Sequence, residues 1–301
     1  MGGELSKSNI AKRNAKKLRS DYLYKSFQTP SMKKLGISPF NILVMGEVAS
    51  GKSSAINSFV TAMHDDEEMY FPALSLGVQD DHVTTGYRCY TLPEKSGIVM
   101  FDAWGIYLNK TYLDDSLSKM LDGVMPEGGR EATSVLETKQ SDEKPPSYST
   151  AEYKGIIPGR EIHMVVFCVS GESHWAQADE IVQADYEELS KMINMMKEIN
   201  EKKGICSAAL VTKVDLVTKR VLDCANPEEI RVLPEVAKCL NNVSKATGVQ
   251  KSIVLPMVAQ TDEFKRSPIV DCNAIHVLKT LMKIAEGYLE QKVARDKKGI
   301  K

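Results

Sequence analysis

An α/β fold of three layers, with a mostly parallel six-stranded sheet and one antiparallel hairpin strand, is predicted by three observations in this 301-residue chain. Short apolar runs alternate with segments of helical period, the pattern of stacked βαβ units. Four of those runs are dense in Val, Ile, Leu, Met or Phe, as strands covered on both faces require. The first run breaks at Gly46 into a small, polar, lysine-bearing loop that opens a helix.

The predicted strands are 41–45, 86–92, 97–101, 163–170, 208–211 and 252–257. Only Pro93-Glu94-Lys95-Ser96 separates the second from the third, too short for a crossover helix, so those two pair antiparallel. A helix is expected from Lys52 to about Met63. In 184–204, Tyr186, Leu189, Met192, Met196 and Ile199 recur at helical spacing, and Gly204 closes the pattern. Residues 225–248 read as one helix, capped by Asn226, with Pro227 in its first turn and Gly248 after its end. A last amphipathic helix runs from about Asn273 to Gln291. Residues 123–160, rich in Gly, Pro and Ser, form an insertion that is either a surface loop or a partner-binding segment. The organisation is therefore a basic arm (1–36), an α/β domain (37–292) and a basic tail (293–301).

Composition excludes some classes. With 43% hydrophobic residues, 26% charged and a net charge of −1, the chain is an ordinary globular one and lacks the strong positive charge of a general nucleic-acid binder. The six cysteines are scattered without C-x-x-C spacing, which suits a reducing, cytoplasmic setting. No apolar stretch is long enough to span a bilayer.

Gly46-Glu47-Val48-Ala49-Ser50-Gly51-Lys52-Ser53 fits G-x-x-x-x-G-K-[ST] between a buried strand and a helix. A loop that wraps a triphosphate needs residues without bulk where its N–H groups turn inward, hence the glycines. Lys52 brings a compact positive charge to the β- and γ-phosphates, Ser53 offers a hydroxyl to Mg²⁺, and the helix through Ser54 aims its positive end at the same anion. The fold class is thereby a three-layer P-loop NTPase, of the G-domain kind.

Two further segments select among nucleotides. Asp102-Ala103-Trp104-Gly105 ends an apolar strand. There Asp102 is placed to hold the Mg²⁺ water shell and the Gly105 N–H to meet the γ-phosphate. Thr212-Lys213-Val214-Asp215 ends another. The Asp215 carboxylate accepts both N1–H and N2–H₂ of guanine, a donor pair that adenine lacks, and the Lys213 stem covers the base. The usual motif has Asn where this chain has Thr212, a hydroxyl still able to bond locally. Thr84 or Thr85 supplies a hydroxyl to Mg²⁺ and an N–H to the γ-phosphate, and spacing does not choose between them. A backbone N–H near Val258 and Ala259 is expected to meet the guanine O6.

Taken in order, Gly46–Ser53, Thr84-Thr85-Gly86, Asp102–Gly105, the strand EIHMVVFCVS and Thr212–Asp215 resemble the GTPase class of P-loop proteins. More narrowly, they resemble the G domain of the interferon-induced protein 44 family over about residues 38–290. The resemblance implies a GTP/GDP switch with Mg²⁺ as cofactor. Ile106 stands where many small GTPases place a glutamine that orients water, and Val48 where some have glycine, so slow turnover is expected. A protein partner or a second copy of the chain is a candidate source of what is missing. Rival readings are a nucleotide-loaded scaffold without turnover and an ATP-dependent P-loop enzyme.

At the N-terminus, MGGELSKS fits the myristoylation pattern at Gly2. Lys7, Lys12, Arg13, Lys16, Lys17 and Arg19 would add the second, electrostatic signal that a single acyl chain needs for peripheral membrane attachment. The alternative is a solvated, positively charged arm or an amphipathic helix packed on the domain through Leu18, Tyr22 and Phe27.

Overall fold

The computed structural model describes residues 6–23, 29–64, 87–92, 96–103, 113–125, 156–259 and 266–297. Six strands form one sheet: β1 (Phe40–Gly46), β2 (Arg88–Thr91), β3 (Ile98–Asp102), β4 (Met164–Ser170), β5 (Cys206–Thr212) and β6 (Val254–Pro256), in the order β2-β3-β1-β4-β5-β6. Every pairing is parallel except β2 with β3, the predicted hairpin. β1 is central, pairing β3 on one side and β4 on the other, so a crevice opens beyond its carboxyl end.

Because β1, β4 and β5 are buried on both faces, their apolar runs split by period two into two cores. Leu43, Met45, Val165, Phe167, Ala209 and Val211 face one layer. That layer comprises α4 (Leu113–Leu121), α5 (His174–Gln177), α6 (Gln183–Lys197), α7 (Val214–Val217), α8 (Pro227–Val232) and α9 (Pro234–Thr247). Ile42, Val44, Met164, Val166, Ala208 and Leu210 face the other. It is built from α1 (Lys7–Leu23), α2 (Pro30–Lys34), α3 (Lys52–Met63) and α10 (Pro268–Lys297). The result is a three-layer α/β P-loop fold.

α3 has the predicted bounds, and residues 55–63 are all buried, so this helix is held from every side rather than by one stripe. In α6 the predicted Leu189, Met192 and Met196 are buried, and Ile199 follows in a π-turn (Glu198–Lys202) before Gly204 at φ +59°. The single helix expected over 225–248 is two. Pro234 lacks an N–H and forces Leu233 out of the helical region (φ −59°, ψ 129°), so α8 stops and α9 restarts. The last helix is longer than expected at both ends. The insertion is closed at its base, where the Ile157 N–H donates to the Gly123 carbonyl at 2.9 Å; residues 126–155 lie outside the described residues.

Candidate functional site

The carboxyl ends of β1, β3 and β5 converge. Register sets Val44 beside Asp102 and Gly46 beside Cys168, while Ser170 pairs Thr212. The loop from Gly46 to Lys52 leaves β1 between these neighbours. At Gly46 (φ +149°) a Cβ would fall 2.1 Å from the Cys168 carbonyl oxygen, so only glycine lets the chain turn against β4. Gly51 (φ +80°) begins α3 in the left-handed region, and Ala49 (φ 59°) also adopts it, unusual for a residue with a Cβ. Glu47 and Val48 are half-buried and Ala49 is exposed.

The Lys52 ammonium, 6% exposed, donates to the carbonyls of Glu47 at 2.7 Å and Gly46 at 3.4 Å, which aims it along the loop. Burial pushes its pKa down, while the Asp102 carboxylate opposes the shift. Ser53 Oγ donates to Asp102 Oδ2 at 3.2 Å, so two of the residues assigned to the metal from sequence already meet. Ser54, half-buried, accepts the Ser58 hydroxyl at its carbonyl. Ser50 Oγ is buried and has no hydrogen-bond partner among the described residues. A bulk-free turn, an ammonium, an unpartnered hydroxyl and a hydroxyl–carboxylate pair fit a phosphate tail with Mg²⁺, which when bound neutralises charge on the phosphates.

On the base side, Thr212 is fully buried, and its hydroxyl lies 2.5 Å from the Ser50 carbonyl and 3.1 Å from that of Val169. The stand-in for Asn therefore ties β5 to the phosphate loop. Lys213 takes the left-handed region (φ 54°) and its ammonium pairs with Glu172 at 3.1 Å, a contact no spacing rule announces. Asp215, 9% exposed, sits in the first turn of α7; burial raises its pKa and the Lys219 and Lys213 ammonium groups offset part of the shift.

The expectation for Val258 needs correction. Its N–H donates to Asn273 Oδ1 at 2.9 Å, and Asn273 Nδ2 also reaches the Pro256 carbonyl. Asn273, a buried polar side chain on α10, thus takes the amide proposed for the base and leaves Ala259 as the candidate. Thr84, Thr85 and Gly105 lie outside the described residues, as do Trp104 and Ile106. Among the described residues there is no cluster of three or more His, Cys, Asp or Glu able to hold a metal by itself, and no helix long and apolar enough to cross a membrane.

Sheet order and loop geometry define a P-loop protein. No family model matches the chain, and no curated protein matches it. Among solved structures, a probable GTP-binding protein engB aligns at 13% identity over 82% of this chain and 99% of its own, with a TM-score of 0.39. Toc33 from Arabidopsis thaliana, as a dimerization-deficient mutant, aligns at 11% identity over 91% of this chain and 92% of its own, TM-score 0.45. The same protein in complex with Mg²⁺ and GMPPNP aligns at 12% over the same shares, TM-score 0.45. The fold assignment rests on the strand order and the Gly46–Ser53 loop of this chain itself.

Proposed function

We propose that this protein is a guanine-nucleotide-binding switch that takes GTP and GDP with Mg²⁺ and turns GTP over slowly. The observation that carries the reading is the Lys52 ammonium held against its own loop beside the Ser53–Asp102 pair. Lys52 would neutralise the phosphates, Gly46–Ser54 would wrap them with N–H groups, and Ser53 with Asp102 would hold the metal and its water. Asp215, buried enough to make its hydrogen bonds selective, would choose guanine, with Lys213 over the base and Thr212 fixing the two loops relative to each other. Thr84 or Thr85 and Gly105 remain the residues proposed for the γ-phosphate side.

Slow turnover follows from Ile106, which cannot orient water; a partner or second copy would complete the site. The narrower assignment, to the G domain of the interferon-induced protein 44 family, belongs to the same reading. So does peripheral attachment to a membrane through an acylated Gly2 and the basic N-terminal helix.

Calorimetric titration of nucleotide-free protein with GDP, a GTP analogue and ADP, each with Mg²⁺, tests the reading. Uptake of guanine nucleotides alone, lost in a folded Lys52→Ala variant, is expected. No uptake of any purine nucleotide, or equal uptake by Lys52→Ala, overturns it. Single-turnover phosphate release separates a slow GTPase from a non-hydrolysing scaffold.

A further inference from the structure

Helix α1 is held to the domain by one face. Ala11 and Ala15 are buried and Leu18 packs against the α3 and α10 layer. Arg19, 5% exposed, donates its Nε to the carbonyl of Ala62, in the last turn of α3, at 2.8 Å. Its Nη2 lies 3.7 Å from Asp271, in the first turn of α10, whose Oδ2 also receives Arg266 Nε at 2.6 Å. Arg266 in turn reaches the His64 carbonyl at 3.2 Å. Asn14 donates to Asn226 Oδ1 at 2.9 Å. At about 100° per residue the opposite side of the helix is Lys12, Arg13, Lys16 and Lys17, interleaved with Asn9 and Ser20, and all six are exposed. Arg13, Lys16 and Lys17 form no ion pair among the described residues.

We propose that α1, while docked on the domain, is a binding surface for an anionic lipid bilayer, met through Lys12, Arg13, Lys16 and Lys17. This rests on the membrane part of the proposed function but requires no acyl chain and no release of the helix. A chain of net charge −1 concentrates four cations within two turns on one side of an anchored helix, which complements a plane of negative headgroups. The same face carries no aromatic side chain, so it lacks the stacking platform that single-stranded nucleic acid requires. Arg19 is spent on the inner face and serves to keep the others outward. Contact through this face turns the α3 and α10 layer toward the bilayer and leaves the carboxyl edge of the sheet, with the phosphate loop, at its side.

The test uses full-length protein produced without acylation, sedimented with vesicles of phosphatidylcholine alone or mixed with phosphatidylserine. Binding only to the mixed vesicles, weakening as salt rises, is expected. Lys16→Gln with Lys17→Gln should reduce it about 25-fold, taking about fivefold per cation removed. Asn14→Cys with Asn226→Cys, joined by a short bifunctional thiol crosslinker to lock the helix, should bind as the unlinked form does, and amide exchange over residues 7–20 should stay as slow on vesicles as in solution. Indifference to phosphatidylserine, loss of binding on locking, faster exchange on vesicles, or tighter binding to a single-stranded RNA or an acidic peptide than to vesicles each overturns the proposal. Mass analysis of Gly2 in cell-derived protein tests acylation separately, so failure of the attachment reading is distinguishable from failure of this surface.

Discussion

The hydroxyl of Thr212 lies 2.5 Å from the carbonyl oxygen of Ser50, joining the end of β5 to the phosphate loop. Its single proton goes to Ser50, the nearer of two carbonyls, and both residues are buried. Thr212→Val keeps the shape and removes the donor, so unfolding stability should fall by about 1–3 kcal/mol, with Thr212→Ser close to wild type. Guanine-nucleotide affinity should fall with it, because Ser50 and Gly51 lose their support. Urea midpoints decide the matter: a Thr212→Val midpoint equal to wild type would mean that this contact holds nothing.

Gly46 and Gly51 are both required by the phosphate-loop pattern, yet the structure ranks them. A methyl at 46 collides at 2.1 Å with the Cys168 carbonyl, backbone whose position is fixed by the β1–β4 register. A methyl at 51 comes to 3.2 Å of the Thr212 side chain, a contact relieved by a shift of a few tenths of an ångström rather than of the whole strand, and adds the strain of φ +80°. Gly46→Ala should therefore cost at least ~3 kcal/mol, and Gly51→Ala about 1–2 kcal/mol. Thermal midpoints of the two variants, measured side by side, check the order; equal losses would contradict it.

What sequence made visible and what it hid follow from physical range. Periodicity and the glycine–lysine spacing are local, so the six strands, the hairpin and the bounds of α3 were legible. The break at Leu233 was legible too, since Pro234 is a local signal, but the strong amphipathic period of the flanking residues masked it. Contacts between segments distant in sequence were not legible. Asn273 capturing the Val258 amide, Lys213 pairing with Glu172, and Thr212 bonding Ser50 all depend on where other elements land. Arg19 counts doubly: as one of six cations it read as part of the signal for a membrane surface, whereas folding buries it against Ala62 and Asp271.

The Asp215 carboxyl carries a prediction in pH. Burial, and next to it the Glu172 carboxylate, hold its pKa above the ordinary value of 3.8 against the pull of Lys219 and Lys213. Guanine recognition needs the ionised form, so affinity for GDP should weaken on acidification with a midpoint above that of an ordinary aspartate. The folded state takes up this proton before the unfolded state does, so protonating Asp215 favours folding as pH falls. Affinity and stability therefore move in opposite directions at this residue. Asp215→Asn should weaken GTP binding about a hundredfold or more and raise affinity for the xanthine nucleotide. Fluorescent-nucleotide titrations over pH test both, and an unchanged GTP affinity in the variant removes Asp215 from the base site.

His163, at the opposite end of the sheet, makes part of the fold's stability acid-sensitive. Its Nδ1 accepts the Asn41 N–H at 2.9 Å and its ring stacks on Phe40 with centroids 5.4 Å apart, an arrangement only the neutral ring can keep. Burial, with a smaller push from the Lys292 ammonium, lowers its pKa to about 4 from 6.5. The unfolded chain thus takes up the proton first. The stability this residue contributes is complete above about pH 6.5 and is lost as pH falls from there toward about 4. The full loss is at most ~3 kcal/mol, less in proportion to the ring's partial exposure. His163→Asn retains an acceptor near the Nδ1 position and does not titrate, so its urea midpoint should vary less between about pH 7 and pH 5 than that of wild type. Parallel pH profiles for the two proteins would assign the acid sensitivity to other groups.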